Sequence, residues 1–427
     1  MSWFKEFVTR EDWWSVWVGF ALLASGFVGA VSSVPGIVPW SSPLSGIPAS
    51  LILPLVLLML GVGALTTIAV RTLGDDAGAY ARAFPVVFVL ATVAFYIAAN
   101  EVLAAYGLGY ALWALALGLI ISNLIGTPEW LRPAVRTELF VKTGLVILGA
   151  EVIFGKMLEL GQYGLIVAWG VTPVVLLSMF WFGSRKLGLS PPLAMVVAAA
   201  TSVCGVSAAI AAAAACRAKK EELTLAVGMT LIFTVLMMVG MPFVSQALGL
   251  DPIIAGAWIG GTVDSTGAVV ASGQILGDVA MQTAAVIKMV QNLLIGVMAF
   301  GIALYWATRV EPGSGDRPQA VEIWNRFPKF VLGFIGSSVI VSFCLVPLMG
   351  ADAVDRAIDV TSDYRNWFFC LAFLSIGLES NFRQLGQQMG RGGPLVLYLM
   401  GQTFNILLTL LVVWIVFSGL IFPRVQF

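Results

Sequence analysis

The chain has 427 residues, 59% of them hydrophobic and 11% charged, with 23 Lys and Arg against 23 Asp and Glu and no His. A soluble domain carries about 25% charged residues, so this composition cannot cover a water-facing surface and points to an all-α polytopic membrane protein. The missing imidazole excludes zinc proteases, Ser/His hydrolases and His-ligated haem, and zero net charge without a basic tract excludes nucleic acid as a partner.

A spanning helix needs about 20 mostly apolar residues. Thirteen hydrophobic segments follow one another near 14–32, 50–70, 84–105, 108–124, 138–156, 162–184, 189–217, 222–248, 253–274, 281–308, 328–348, 367–382 and 394–421. The charged, Trp-rich start MSWFKEFVTREDWW lacks a small-residue cleavage site and is expected to be retained as an interfacial belt. Segments seven (LAMVVAAATSVCGVSAAIAAAAACRAKK) and nine (IIAGAWIGGTVDSTGAVVASG) cluster Ser, Thr and Gly where the others carry Leu, Val and Phe. Each is predicted to be a helix interrupted at its middle, although small residues also serve close helix packing. Glu221 and Glu222 read as an ordinary helix start. Cys204, Cys216, Cys344 and Cys370 lack CxxC spacing and are expected to be small buried packers, with no metal site. The expected organisation is N-terminal, partly scaffold helices over 1–137, a core with both interrupted helices over 138–308, a flexible cytoplasmic linker over 309–327 (EPGSGDRPQ), and C-terminal helices over 328–427.

Lys and Arg in short loops mark the cytoplasmic side. With a cytoplasmic N-terminus, Arg71, Arg82, Arg132, Arg136, Arg185 and Lys186 fall inside and the uncharged loop 33–49 outside. A full crossing by segment seven would place Arg217, Lys219 and Lys220 outside, whereas re-entry keeps them inside. Re-entry of segment nine from the opposite face then brings Arg309, Arg317, Arg326 and Lys329 inside. It also puts Asp352, Asp355, Asp359 and Asp363 outside and returns Arg383 and Arg391 inside. The tally gives about eleven crossings plus two re-entrant segments; a strongly bent crossing elsewhere satisfies the same parity.

Two pairs of segments look like copies. Gly149-x-Glu151 in VILGAEVIFGKMLELGQ matches Gly377-x-Glu379 in FLSIGLESNFRQLGQQ, each followed three residues later by Phe, then by Lys156 or Arg383. More weakly, CGVSAAIA at 204–211 matches TGAVVASG at 266–273. Members of each pair would run in opposite directions, the plan of inverted-repeat transporters with interrupted helices.

The motifs TSVCGVSAAIA, GGTVDSTGAVVASG, IKMVQNLL and ALALGLIISNL…LFVKTGLVILG, spread over roughly 108–421, resemble the bacterial membrane-protein family named for sulfate export. More distantly, the interrupted-helix plan is similar to bile-acid/sodium symporters and cation/proton antiporters. The resemblance implies a scaffold and a mobile core, an elevator-like movement, a homodimer in the bacterial inner membrane, and export of sulfate or a related sulfur oxyanion. The family pattern commonly has His then an acidic residue where this chain has Asp264 and Ser265, a polar residue at Ala268 and a basic one at Gln291. Those departures remove imidazole and cationic contacts to an anion, while Lys288 matches the family's Lys.

Ionisable groups inside a membrane are costly and default to functional roles with a partner. Asp264 is flanked by Thr262, Ser265 and Thr266, with Gly267 next along the expected substrate site, so it either shares a cation or substrate with these hydroxyls or caps a broken helix. Lys288, with Gln291 and Asn292 a turn later, is read as attracting an anion or serving coupling, or as a structural ion pair with Asp264. Thr201, Ser202, Cys204, Gly205 and Ser207 offer hydroxyls and a glycine break that can solvate an anion at a half-helix end. Glu151 and Glu379 are nearer segment ends and are read as interfacial or structural, and Glu101 as near the outer interface.

The expected function is secondary transport of a small anion, coupled to H⁺ or Na⁺ at Asp264, Lys288, Gln291 and Asn292, with no cofactor and no enzymatic activity. The alternative is a cation/proton antiporter using Asp264. An intramembrane aspartyl protease would need paired aspartates; Asp264 and Asp278 are present without a G-x-G-D run. A plain channel would carry currents far above transporter turnover. Single cysteines placed across 217–222 in a Cys-free background are predicted to react with an impermeant maleimide only from the cytoplasmic side; labelling confined to the outer face would sink the re-entrant topology.

Overall fold

In a computed structural model of the chain, every residue is described except 1–2, 42–47, 106–107, 311–318, 320, 389–391 and 426–427. Arg317, Arg391 and most of the EPGSGDRPQ linker therefore lie outside the described residues, while its end forms a helix, Val321–Arg326. Among the described residues there is no strand, and the main helices are α1 (Glu11–Phe27), α2 (Ala49–Thr72), α3 (Ala77–Ala98), α4 (Tyr110–Ile120), α5 (Thr137–Glu151), α6 (Phe154–Arg185), α7 (Pro191–Ser202), α8 (Val206–Ala215), α9 (Lys220–Ala247), α10 (Pro252–Thr262), α11 (Thr266–Leu276), α12 (Asp278–Asn292), α13 (Leu294–Tyr305), α14 (Phe330–Ile340), α15 (Ala351–Glu379) and α16 (Gly393–Phe417). Among the described residues, 7 helical stretches are long and apolar enough to cross a membrane: α2, α3, α6, α9, 278–310, 330–349 and α16.

The chain forms two compact units, Met1–Lys156 with Lys329–Asn381, and Met157–Pro328 with Phe382–Phe427. Each is discontinuous in sequence.

In the first unit, α5 and α15 are neighbours. Thr137 meets Glu379, Gly144 faces the ring of Phe369, and Glu151 pairs with Arg365. Numbers rise along one helix as they fall along the other, so the two run antiparallel. The matched glycines occupy matched places. A Cβ on Gly149 would collide with the Phe334 carbonyl and Ser337 of α14, and one on Gly377 with the Leu115 carbonyl and Gly118 of α4. α4 and α14 each pass into a five-residue π-turn, Ile121–Ile125 and Val341–Leu345.

α15 begins far ahead of the hydrophobic stretch 367–382. Asp352, Asp355, Asp359 and Asp363 are exposed along its first half, while Val354, Ala357, Thr361 and Tyr364 are buried. The acidic stretch is thus one face of a long helix, with spacing of three and four residues, not a loop. Cys204, Cys216 and Cys370 are buried as expected, but Cys344 is exposed.

The second unit carries both interrupted segments, and each folds back on itself. α7 and α8 part at 203–205. The Cys216 thiol beyond α8 lies 3.9 Å from the Pro192 carbonyl at the start of α7, and Ser190 donates to Glu222 at the start of α9 at 2.5 Å. The outer ends of this hairpin therefore meet. α9 begins with the Glu222 carboxylate accepting from the Lys219 amide at 2.9 Å, so the helix start read at Glu221 and Glu222 is present.

α10 and α11 part at 263–265 and are read against α12. Gly256 packs on Ala280 and Gly260 on Ala284, so α10 runs parallel to α12. Thr266 contacts Asn292 and Gly273 contacts Met281, so α11 runs antiparallel to it. The second interrupted segment is therefore also a hairpin. Glycine at 256 and 260 is required because the α12 backbone occupies the space of a Cβ.

Gly260→Ala is predicted to destabilise the protein by about 2 kcal/mol or more, since its neighbour is backbone and cannot yield. Gly240→Ala and Gly170→Ala, in helices with nothing within 4 Å of the added carbon, are predicted to leave stability unchanged or raise it by up to about 1 kcal/mol. Thermal unfolding of the purified variants distinguishes the two classes.

Candidate functional site

Within the second unit the tips of the two hairpins meet. Gly205, at φ +55°, turns the chain from α7 into α8; a Cβ there would lie 2.8 Å from the Thr230 methyl and 3.1 Å from the Asp264 carbonyl. No other residue fits both that backbone conformation and that gap. At the second tip the turn passes through Val263, Asp264 and Ser265.

Breaking a helix leaves carbonyls at one cut end and N–H groups at the other without partners. The carbonyl ends are answered by α12. Its Gly-packed stripe, Ala280 and Ala284, continues one helical step further to Lys288, which is 1% exposed. The Lys288 ammonium donates to the Val203 carbonyl at 2.6 Å, the Val263 carbonyl at 2.8 Å and Gln291 Oε1 at 2.7 Å. Gln291 Nε2 reaches the Ser202 and Gly261 carbonyls at 3.1 and 3.3 Å, and Thr172 Oγ1 at 3.3 Å. All three protons of Lys288 are used on oxygens other than those of Asp264. It is therefore neither bonded to Asp264 as an ion pair nor left with a proton to hold an anion.

Asp264, 1% exposed, accepts a hydrogen bond at Oδ2 from the hydroxyl of Tyr398, whose ring stacks on Phe233 at 4.8 Å. Its Oδ1 is buried with no hydrogen-bond partner. The same holds for Ser202 Oγ, Thr262 Oγ1, Asn292 Oδ1 and Gln402 Oε1. All of these orphaned atoms are oxygens, in a setting where an unmatched polar group costs about 1–3 kcal/mol.

The N–H ends are less buried, which makes them the open side of the tips. α8 and α11 begin with no side-chain cap, Ser207 is exposed, and Ser265 and Thr266 are half-buried. Thr266 Oγ1 accepts from Asn292 Nδ2 at 3.2 Å. Such helix starts carry partial positive charge.

Among the expected site residues, Ser202, Gly205, Thr262, Asp264, Thr266, Lys288, Gln291 and Asn292 are brought together, with Cys204 and Gly267 buried at the tips and Ser207 and Ser265 on the open side. Thr201 is not among them in its hydroxyl, which turns back to the Val197 carbonyl of its own helix at 2.9 Å. Glu151 and Glu379 stand in the first unit, bonded to Arg365 and Thr137. Glu101 is exposed at the start of a short helix.

The sequence reading passed over Tyr398, Gln402 and Asn405. They lie at spacings of four and three along α16 and are all buried, a polar stripe in an otherwise apolar helix. Gln402 Nε2 donates to the Thr262 carbonyl at 3.3 Å, and Asn405 Nδ2 to the Thr201 carbonyl at 3.2 Å. Thr172, beside Pro173 in α6, was missed as well. Gln402→Ala and Asn405→Ala are each predicted to cost about 1–3 kcal/mol by stranding a carbonyl at a helix end. Thr403→Ala, on the exposed side of α16, should change stability by less than about 0.5 kcal/mol. Unfolding midpoints of the three variants provide the check.

Residues 83–397 match the family described as "Conserved hypothetical protein 698". A UPF0324 membrane protein of Rhodopirellula baltica is 54% identical over 361 residues, covering 84% of this chain and 66% of the relative. One from Nitratidesulfovibrio vulgaris is 45% identical over 385 residues, covering 88% and 66%. The chain thus spans just under two thirds of the length of these two relatives. A more divergent one from Nitrosomonas europaea, 28% identical over 489 residues, matches over 99% of this chain and 98% of its own. No solved structure matches. With a family match across most of its helices and relatives that are named membrane proteins, the chain belongs to the UPF0324 membrane protein family.

Proposed function

We propose that this protein is a secondary active transporter of a small anion, sulfate or another sulfur oxyanion or sulfonate, which binds at the open side of the paired hairpin tips. One observation carries the reading. The carbonyl ends of both broken helices are neutralised by Lys288, while the N–H ends of α8 and α11 are left uncapped beside Ser207, Ser265 and Thr266. The partial positive charge of those two helix starts favours a negative ligand held by amides and hydroxyls.

The hairpin shape of both interrupted segments supports their re-entry into the bilayer, because a segment that returns to its own starting end needs no second face. The antiparallel α5 and α15, with matched glycines and carboxylates, support an inverted repeat. On this reading the unit with the hairpins is the transport core and the other the scaffold of an elevator-like homodimer. It sits in the bacterial inner membrane with its N-terminus cytoplasmic. Asp264 takes the coupling cation, H⁺ or Na⁺.

A second reading has its own observation. The orphaned oxygens of Asp264, Thr262, Asn292 and Gln402 are the donor set of a cation site, which suits a cation/proton antiporter using Asp264.

A thermal-stability screen of the detergent-purified protein separates the two. The panel is sulfate, sulfite, thiosulfate, sulfonates, carboxylates and bicarbonate, with and without Na⁺, at two pH values. A ligand that binds only the folded state raises the midpoint. The anion reading expects a rise with a sulfur oxyanion that Ser207→Ala and Thr266→Ala weaken. Stabilisation by Na⁺ or pH alone, abolished by Asp264→Asn with every anion silent, would favour the antiporter.

A further inference from the structure

We infer that Lys288 is a tethered cation, its ammonium filling an oxygen-lined site built to hold a small monovalent metal ion such as Na⁺. The inference deepens the transport reading by addressing which ion can act at the tips. Paired half-helix ends inside a membrane protein present converging carbonyls, and in transporters of this plan such ends coordinate the coupling cation. Here the converging groups are the Val203 and Val263 carbonyls, one from each tip, with Gln291 Oε1 as the third oxygen.

The shell suits a cation. Every atom bonded to the ammonium is an oxygen, two come from helix C-terminal ends with partial negative charge, and the two protons of Gln291 Nε2, shared among the Ser202 and Gly261 carbonyls and Thr172 Oγ1, turn Oε1 inward. The residues next to the two carbonyls, Ser202 and Thr262, each hold a buried hydroxyl without a partner. A bare ion in this place would take the two tip carbonyls and Gln291 Oε1 as ligands, and the two hydroxyls are the uncommitted oxygens next to them in sequence.

Two consequences follow. Wild-type protein takes up no Na⁺ in this shell, so a coupling ion binds outside it, as at Asp264. Removing the side chain to Cβ vacates the shell and makes the fold dependent on an added cation.

The experiment measures unfolding midpoints of full-length detergent-purified protein in NaCl, LiCl, KCl and choline chloride at equal ionic strength and without any sulfur oxyanion. Because Asp264 is a separate candidate for Na⁺, each variant is also made in an Asp264→Asn background, where the outcomes are read. Without Lys288→Ala, that background should show equal midpoints in NaCl and choline chloride. With Lys288→Ala the midpoint should fall in choline chloride and rise saturably with Na⁺ or Li⁺ by about 3 °C or more. Lys288→Met, which keeps the space filled with apolar atoms, should show no such rise.

A folded Lys288→Ala protein indifferent to every cation overturns the inference, as does a Na⁺ response that is present with Lys288 intact. Should Lys288→Ala fail to fold, Lys288→Ser supplies an extra oxygen ligand. Failure of both in NaCl as in choline chloride counts against the inference, because an enterable cation shell should be rescued by its ion. With no anion in the assay, a negative result here leaves the anion reading standing, and a silent anion panel leaves this one standing.

Discussion

The ammonium of Lys288 is the point on which the second unit turns. Two helices are cut in the interior of an apolar unit, and each cut exposes carbonyls that an intact helix would have bonded. Burying an ammonium is itself costly, so neither the cuts nor the charge would be stable alone. Together they supply one another's partner: Val203 from one tip, Val263 from the other, and Gln291 alongside. Charge-assisted hydrogen bonds of this kind are worth about 1.5–3 kcal/mol each. Because the bonds come from two hairpins and from α12, the lysine fixes three elements in one register.

The remaining architecture serves to bring that nitrogen to that place. Gly256 and Gly260 let α10 lie directly on the α12 backbone, so the step from Ala284 to Lys288 ends at the second tip. Gly205 makes the first tip narrow enough to touch Asp264. On the other side, Gln402 and Asn405 of α16 hold the carbonyls of Thr262 and Thr201, and Tyr398 holds the carboxylate of Asp264. The polar atoms of the two tips are thus divided. One set is satisfied within the protein; the other, the uncapped helix starts and the orphaned oxygens, is left without partners.

Much of this was legible in residues. Both helix breaks fall inside the Ser, Thr and Gly clusters at 201–207 and 260–267, although such residues also serve close packing, as Gly260 does. Gly149-x-Glu151 and Gly377-x-Glu379 were readable as a pair because their glycines meet the same demand, close approach to a neighbouring carbonyl. Less legible was α15, whose acidic face hides from a hydropathy window although the spacing of its aspartates is helical. The stripe of Tyr398, Gln402 and Asn405 was visible in principle, as polar residues on one face of an apolar helix, yet nothing local says which backbone groups they meet.

The sequence by itself determined the solvent. With 11% charged residues and no His, the chain is confined to helices in an apolar surrounding, and Asp264 and Lys288 stand out because a buried charge there needs a reason. What only the tertiary structure decided is which partner each charge takes. Opposite charges in neighbouring segments suggest an ion pair, but Lys288 bonds to backbone carbonyls and Asp264 to a tyrosine more than a hundred residues away. The reason is physical: the carbonyls left by a broken helix belong to every residue type alike and carry no signature in the sequence, so their claim on a cation emerges only when the tips are folded against each other.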